Sequence, residues 1–177
     1  MAKNTHDFKP IEGKYVNLRE VTIDDAAFIL QLRTTGKAVK FLHKTENNLQ
    51  KQIDYIKRYL TLDNEYYFII EHKDGTPLGT VSIYNIHEDE FTSGRWCMVE
   101  HSLPEEVLES SILGWNYAFN VLNLRKDYYD VRKNNKKVLR YHEIWGARYI
   151  KEGKEDIFFE MTRDTFNQNK QRFLDLL

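Results

Sequence analysis

Along the chain, apolar positions recur with two different periods, and the switches between them mark out the elements. Residues 14–20 set Val16 and Leu18 between polar neighbours, the alternation of a half-buried strand. Thr22 followed by Asp24 and Asp25 is an N-cap with an acidic first turn, which predicts a helix to about Thr34, before Gly36. The stretch 37–48 is polar and irregular around Phe41, Leu42 and His43. Leu49, Ile53, Ile56 and Leu60 then fall at steps of four and three, predicting a second helix. Residues 66–71 are rich in β-formers, Asp74-Gly75 makes a turn, and 79–84 resumes with Val81 and Ile83, which together predict a hairpin. After a polar interval, 91–100 reads as a further strand.

From Glu105 the period becomes 3.6: Val107, Leu108, Ile112, Trp115, Phe119 and Leu122 make one wide apolar stripe, ending near Asn123. A strand is expected over 126–132. Asn135 is placed to cap a helix whose apolar face carries Val138, Tyr141, His142 and Trp145, and Gly146 closes it. Two more strands fit 147–151 and 156–162, and a last helix from Asp164 carries Phe166, Phe173 and Leu177. The order β-α-α-β-β-β-α-β-α-β-β-α predicts an α/β fold with a mixed, twisted sheet of about six or seven strands and helices on both faces. Strand 91–100, helix 105–122 and strand 126–132 form a right-handed βαβ crossover in this reading.

Composition narrows the class. With 177 residues, 41% hydrophobic and 14% aromatic, the chain suffices for one domain spanning 1–177 with a dense core. A net charge of −1 supplies no field for nucleic acid or an anionic membrane, so neither is expected as a partner. The single cysteine, Cys97, excludes a disulfide framework and a cysteine-built metal site, and reads as buried packing; no metal is expected. Residues 1–7 lack an apolar leader, and apolar runs such as 66–70 fall far short of the roughly 20 residues that cross a bilayer, so the expected location is cytoplasmic. A monomer and a homodimer both remain open.

Several short motifs add a resemblance. Leu18-Arg19 precedes Asp25-Ala26 at the first helix; Gly75-Thr76-Pro77-Leu78-Gly79-Thr80-Val81 crosses the hairpin; and Asn135, Val138, His142, Glu143 and Gly146-Ala147 share the spacing of an Asn-x-x-Ser-x-x-Leu-Tyr-Glu-Lys-Leu-Gly-Phe run. Over roughly residues 12–163 the chain resembles the GNAT superfamily of acyl-CoA-dependent N-acyltransferases. Within it the chain looks most like the branch of ribosomal-protein N-terminal and amino-sugar acetyltransferases. One stretch departs: where the family usually has a Gln/Arg-x-x-Gly-x-Gly/Ala donor loop, residues 101–109 contain no glycine and include Glu105 and Glu106. The helix opening near Pro104 can still offer backbone N–H groups to an anion.

The resemblance implies acetyl-CoA as acyl donor and a small primary amine as acceptor, an amino sugar, free or nucleotide-linked, coming first. A protein N-terminus, or a GNAT-shaped domain that only binds a ligand, is the alternative. It also implies a direct attack: a base takes the amine proton, a donor polarises the thioester carbonyl, and an acid protonates the departing thiolate. Glu100 is the expected base, with His101 beside it, and His142, standing where the family often has tyrosine, is the expected acid. Met98 and Val99, with Glu100, are expected to pair their backbone with pantetheine amides. His101, Leu103, Leu108 and Glu109 complete the donor loop, and Asn135, Lys136, Val138 and Arg140 the helix beyond it. His43, His72 and His87 read first as exposed polar residues. Residues 125–140 carry seven cations against Asp127 and Asp130, a solvated face or an attraction for phosphates.

Overall fold

The computed structural model describes residues 8–177. Eight strands form one sheet: β1 (Ile11–Glu12), β2 (Val16–Glu20), β3 (Tyr66–His72), β4 (Pro77–His87), β5 (Glu90–Met98), β6 (Lys126–Arg132), β7 (Arg148–Glu152) and β8 (Asp156–Thr162). Five helices join them: α1 (Ala26–Thr34), α2 (Leu49–Tyr59), α3 (Pro104–Asn116), α4 (Lys136–Trp145) and α5 (Arg163–Leu174). The spatial order is β1-β2-β3-β4-β5-β6-β8-β7, antiparallel throughout except for the parallel neighbours β5 and β6.

The alternation of β3 separates two cores. Phe68 and Ile70 face a large cluster with Val81, Ile112, Trp115, Phe119 and the α5 residue Phe166, whereas Tyr67 and Ile69 face a smaller one with Ile29 of α1 and Ile56 and Tyr59 of α2. Helices therefore cover both faces, as the pattern requires. Arg19 ties the smaller layer to the sheet. Its guanidinium grips Asp25 with two bonds (2.7 and 2.8 Å) and Glu71 with a third (2.8 Å). Asp25 in turn accepts the Thr22 N–H (2.8 Å), which closes the first turn of the helical segment.

The strand count exceeds the expected six or seven. The two-residue β1 is too short to show a period, and β4 runs on into the polar interval, because Asn85 (φ 52°) makes an irregularity and Glu88 (φ 55°) a tight turn that lets His87 pair with Glu90. The expected helix 105–122 is α-helical only to Asn116 and continues as a π-helical turn over Tyr117–Val121. On α4 the fully buried positions are Leu139, His142 and Trp145, with Val138 and Tyr141 packed at their margin.

Candidate active site

β5 pairs with β4 from His87↔Glu90 up to Gly79↔Met98. With β6 it pairs only at Glu90↔Lys126 and Phe91↔Asp127, after which the two strands part. A cavity of about 920 Å³ occupies the wedge. Asp127 sits at its apex. This fully buried carboxylate accepts the Ser93 N–H (2.7 Å) on one oxygen and the Trp115 indole N–H (2.9 Å) on the other. The amide that would continue the β5–β6 ladder is thus spent on a side chain. Burial pushes the Asp127 carboxyl up to about 7, against the bonds from Ser93 and Trp115 that favour the ionised form.

A bulge bends β5 further from β6. Ser82 opposes Gly94 and Thr80 opposes Cys97, so β5 carries an extra residue between the two pairs. Arg95 takes up the distortion with φ 51°, a conformation that costs a side-chain-bearing residue roughly 1 kcal/mol. Gly94 leaves room for the Tyr84 ring, since a Cβ there would lie 2.8 Å from the Tyr84 hydroxyl. Beyond the bulge, Val99 donates its N–H to Leu78 (2.8 Å), and its carbonyl accepts from Ser102 (3.2 Å). Val99 is therefore turned to β4. By the alternation of the ladder, the neighbouring Met98 presents its N–H and C=O to the wedge. Of the three residues expected to pair with pantetheine, Val99 is turned away to β4, Met98 faces the wedge, and Glu100 lies beyond the end of β5.

The donor-loop residues divide in the same way. Glu106 is buried and folds back, accepting the Leu103 N–H (2.8 Å) and meeting His72 Nδ1 (2.9 Å), so its charge does not face an anion at the helix start. Glu109 is also buried and points to the opposite side, its carboxylate accepting the N–H groups of Lys14, Tyr15 and Val16 (2.6–2.8 Å). That role fixes β2 and is remote from the wedge. His101 and Leu103 are exposed, and Leu108 packs against the large core. On the far rim, Asn135 caps α4 by accepting the Val138 N–H (3.4 Å), and Asn135, Lys136 and Val138 line the cavity. Arg140 is exposed and pairs with Glu143 (3.4 Å).

Glu100 and His142 both line the cavity, with different surroundings. Glu100 is exposed; its Oε1 accepts the Lys37 N–H (2.6 Å), which fastens the 3-10 turn Lys37–Phe41 across the mouth. His142 is 6% exposed, and burial drives its imidazole down to about 3, so it is neutral at ordinary pH. Its Nδ1 lies 2.8 Å from the Tyr129 hydroxyl, which also borders the cavity and whose own pKa burial raises well above the ordinary value. In the sequence Tyr129 looks like any strand aromatic. The usable signal is its phase, two residues past Asp127 and hence on the same side of β6. The Ser82 hydroxyl, fully buried in the same cavity wall, has no partner among the described residues.

Cys97 is buried, and burial raises its thiol above the ordinary value, as befits a packing residue. His87 is exposed, and exposed His43 reaches the cavity, its Nδ1 3.1 Å from an Arg132 Nη. Among the described residues no group of three or more His, Cys, Asp or Glu can hold a metal ion, and no helix is long and apolar enough to cross a membrane.

Residues 16–148 match the family model described as Acetyltransferase (GNAT) domain. Among solved structures, FdhC, described as a nucleotide-linked sugar GNAT, is 30% identical over 94% of this chain and 97% of that one, with a TM-score of 0.84. A GCN5-related N-acetyltransferase from Brucella melitensis shares the fold at 17% identity, covering 94% of this chain and 84% of that one (TM-score 0.78). A spermidine N-acetyltransferase from Vibrio cholerae, in complex with CoA and spermine, does so at 16% identity, covering 88% and 99% (TM-score 0.77). No curated protein matches by sequence.

Proposed function

The chain belongs to the GNAT acetyltransferases, acetyl-CoA-dependent N-acetyltransferases, and on that premise we propose that its acceptor is the primary amine of a sugar carried on a nucleotide. The observation that carries acetyl transfer is the released edge of β5, where Met98 offers main-chain groups to a wedge of about 920 Å³. A pantetheine arm can lie there as an added strand. The absence of glycine at 101–109 is offset by Glu106, which folds inward, while Lys136 and Lys137 supply cations on the opposite rim.

The acceptor reading draws on three features. The likeness to FdhC favours a nucleotide-linked sugar. The unpartnered Ser82 hydroxyl suits a hydroxylated ligand, because a buried donor without a bond costs about 1–3 kcal/mol. The cavity wall carries more cations, Arg33, Lys37, Lys40 and Arg95 among them, than carboxylates (Glu100 and Asp130), and this excess repels a polyamine such as spermidine.

In the proposed reaction, the neutral amine attacks the thioester carbon, the N–C bond forms and the C–S bond breaks. Glu100 takes the amine proton on Oε2, directly or through water, since Oε1 is engaged by Lys37. The sulfur leaves with its bonding pair and takes a proton from the Tyr129 hydroxyl. His142 is too strongly held neutral to act as an imidazolium acid; as the Nδ1–H tautomer it donates to the Tyr129 oxygen, which orients that hydroxyl toward the sulfur and stabilises the phenolate until solvent reprotonates it. A tyrosine hydroxyl from β6 thus does what a tyrosine at position 142 would do.

Free CoA release with a nucleotide-linked amino sugar, the free amino sugar, spermidine and a peptide N-terminus tests this. The nucleotide-linked sugar should give the highest kcat/KM. Preference for spermidine or the peptide overturns the acceptor; no release from any amine, with no thermal shift from millimolar acetyl-CoA, makes this a domain that only binds a ligand.

A further inference from the structure

A second cavity, of about 280 Å³, opens beside the main one, and Arg33 and Arg95 stand in the walls of both. Lys44, Lys51, Glu46 and Tyr55 help to line it. Its lining carboxylate, Glu46, is held by Lys51 at 2.5 Å, and Glu65, outside the lining, touches Arg95 at a single distance of 3.3 Å. Arg33 directs Nε to Thr45 Oγ1 (2.8 Å) and an Nη to the His43 carbonyl (3.4 Å), both neutral oxygens. Its full charge therefore stands at the junction of the two cavities.

Arg95 is held from behind. Its guanidinium lies 4.3 Å from the Tyr84 ring centre and 5.5 Å from those of Tyr55 and Tyr67. Ring faces restrain a guanidinium without consuming its N–H donors. The left-handed backbone of Arg95, in the β5 bulge, sets this residue where an ordinary strand would continue. Four cations against the single carboxylate Glu46 leave the pocket wall net positive, a repulsion that an anion relieves, and guanidinium groups suit the paired oxygens of phosphates.

We propose that this side cavity is the phosphate subsite of the acceptor, where Arg33 and Arg95 hold a phosphate or diphosphate group borne by the amine-carrying molecule. The assignment rests on the reading of the main cleft as an amine-acetylating site and adds where the remote, charged part of the acceptor lies. Arg33 and Arg95, shared by both cavities, connect the reacting end to the anchored end.

The test compares the wild type with Arg33→Gln, Arg33→Lys and Arg95→Gln. Acetyl transfer is measured to a nucleoside-diphosphate-linked amino sugar and to the same amino sugar without phosphate. Melting temperature is measured with inorganic pyrophosphate under saturating CoA, which occupies the donor's own phosphate sites. Wild-type kcat/KM should favour the phosphorylated acceptor by about 10-fold or more, and each Gln variant should lose about that factor through KM on this acceptor alone. Arg33→Lys should recover part of the loss, and pyrophosphate should raise the wild-type melting temperature but not that of Arg33→Gln. Equal kcat/KM for the two acceptors, or equal losses on both, overturns the subsite while leaving the transferase reading intact; a pyrophosphate shift accompanied by such indifference identifies a separate anion site instead. If neither sugar is acetylated but the shift occurs and disappears in Arg33→Gln, anion binding stands and the acceptor reading falls. Should Arg95→Gln fail to fold, Arg33→Gln, at the end of a helix, carries the comparison.

Discussion

Along β5, the edge turned to β4 stays bonded past the end of the strand, with Val99 still donating to Leu78 at 2.8 Å, whereas the edge turned to β6 is released after Phe91. The same backbone is structural on one side and a receptor on the other. The difference is produced by a few side chains: Asp127 diverts the Ser93 N–H, and the Gly94–Arg95 bulge bends the strand away. A parallel pair held at only two positions leaves N–H and C=O groups that need partners, and a ligand's amides can supply them.

Five substitutions probe this contrast, and the largest expected effect is chemical. Tyr129→Phe removes the hydroxyl opposite the released edge and should lower kcat by about 100- to 1,000-fold, with little change in the KM for acetyl-CoA. A wild-type kcat would remove Tyr129 from proton transfer. Asp127→Ala strands two buried donors at the apex and should cost about 3 kcal/mol in urea unfolding, each unsatisfied group contributing about 1–3 kcal/mol. A loss below about 0.5 kcal/mol, the scale of an ordinary surface change, would show that the wedge holds open without it.

Met98→Pro and Val99→Pro then set the two edges against each other. Proline at 98 deletes an N–H that faces the wedge and should raise the KM for acetyl-CoA about 10-fold, the equivalent of about 1.4 kcal/mol. Proline at 99 deletes the bond to Leu78 and should act on unfolding, by up to about 3 kcal/mol, more than on KM. The reverse pattern would mean that the two edges have been assigned the wrong way round.

The smallest effect is a slope. His142 is held down to about 3 in the fold against about 6.5 in an unfolded chain. Its contribution is therefore present above about 6.5 and is lost as pH falls towards 3. Asp127 is raised to about 7 from about 4 when unfolded, so its contribution is present at low pH and is lost as pH rises through 7. Between about pH 4 and 6.5 the two slopes oppose one another. His142→Phe should unmask the Asp127 slope, with urea stability declining from pH 4 to 7 more steeply than in the wild type. An unchanged profile would show that one of these groups titrates elsewhere.

Much of this architecture was legible in the chain. The strand over 126–132, the hairpin at Asp74-Gly75 and the cap at Asn135 rest on local rules of alternation, turn chemistry and capping, and they stand where those rules put them. The element order also anticipated parallel neighbours with a helix between them. The site was less legible. Glu100, Met98, Asn135, Lys136 and Val138 do gather at one cavity or its edge. Glu109, from the same stretch of sequence, turns to the opposite side and binds β2, because a helix sends adjacent side chains to different faces.

Sequence alone determined what depends on near neighbours: the period of each element, its caps and turns, the amount of apolar surface to be buried, and the family motif around Asn135. Tertiary structure decided the rest, namely which edge of β5 is released, that His142 is buried and backs Tyr129, and that Arg33 and Arg95, far apart along the chain, share a wall. The reason is physical. A charge or a hydroxyl takes its role from the burial and the partners that distant segments bring to it, and no local period encodes those.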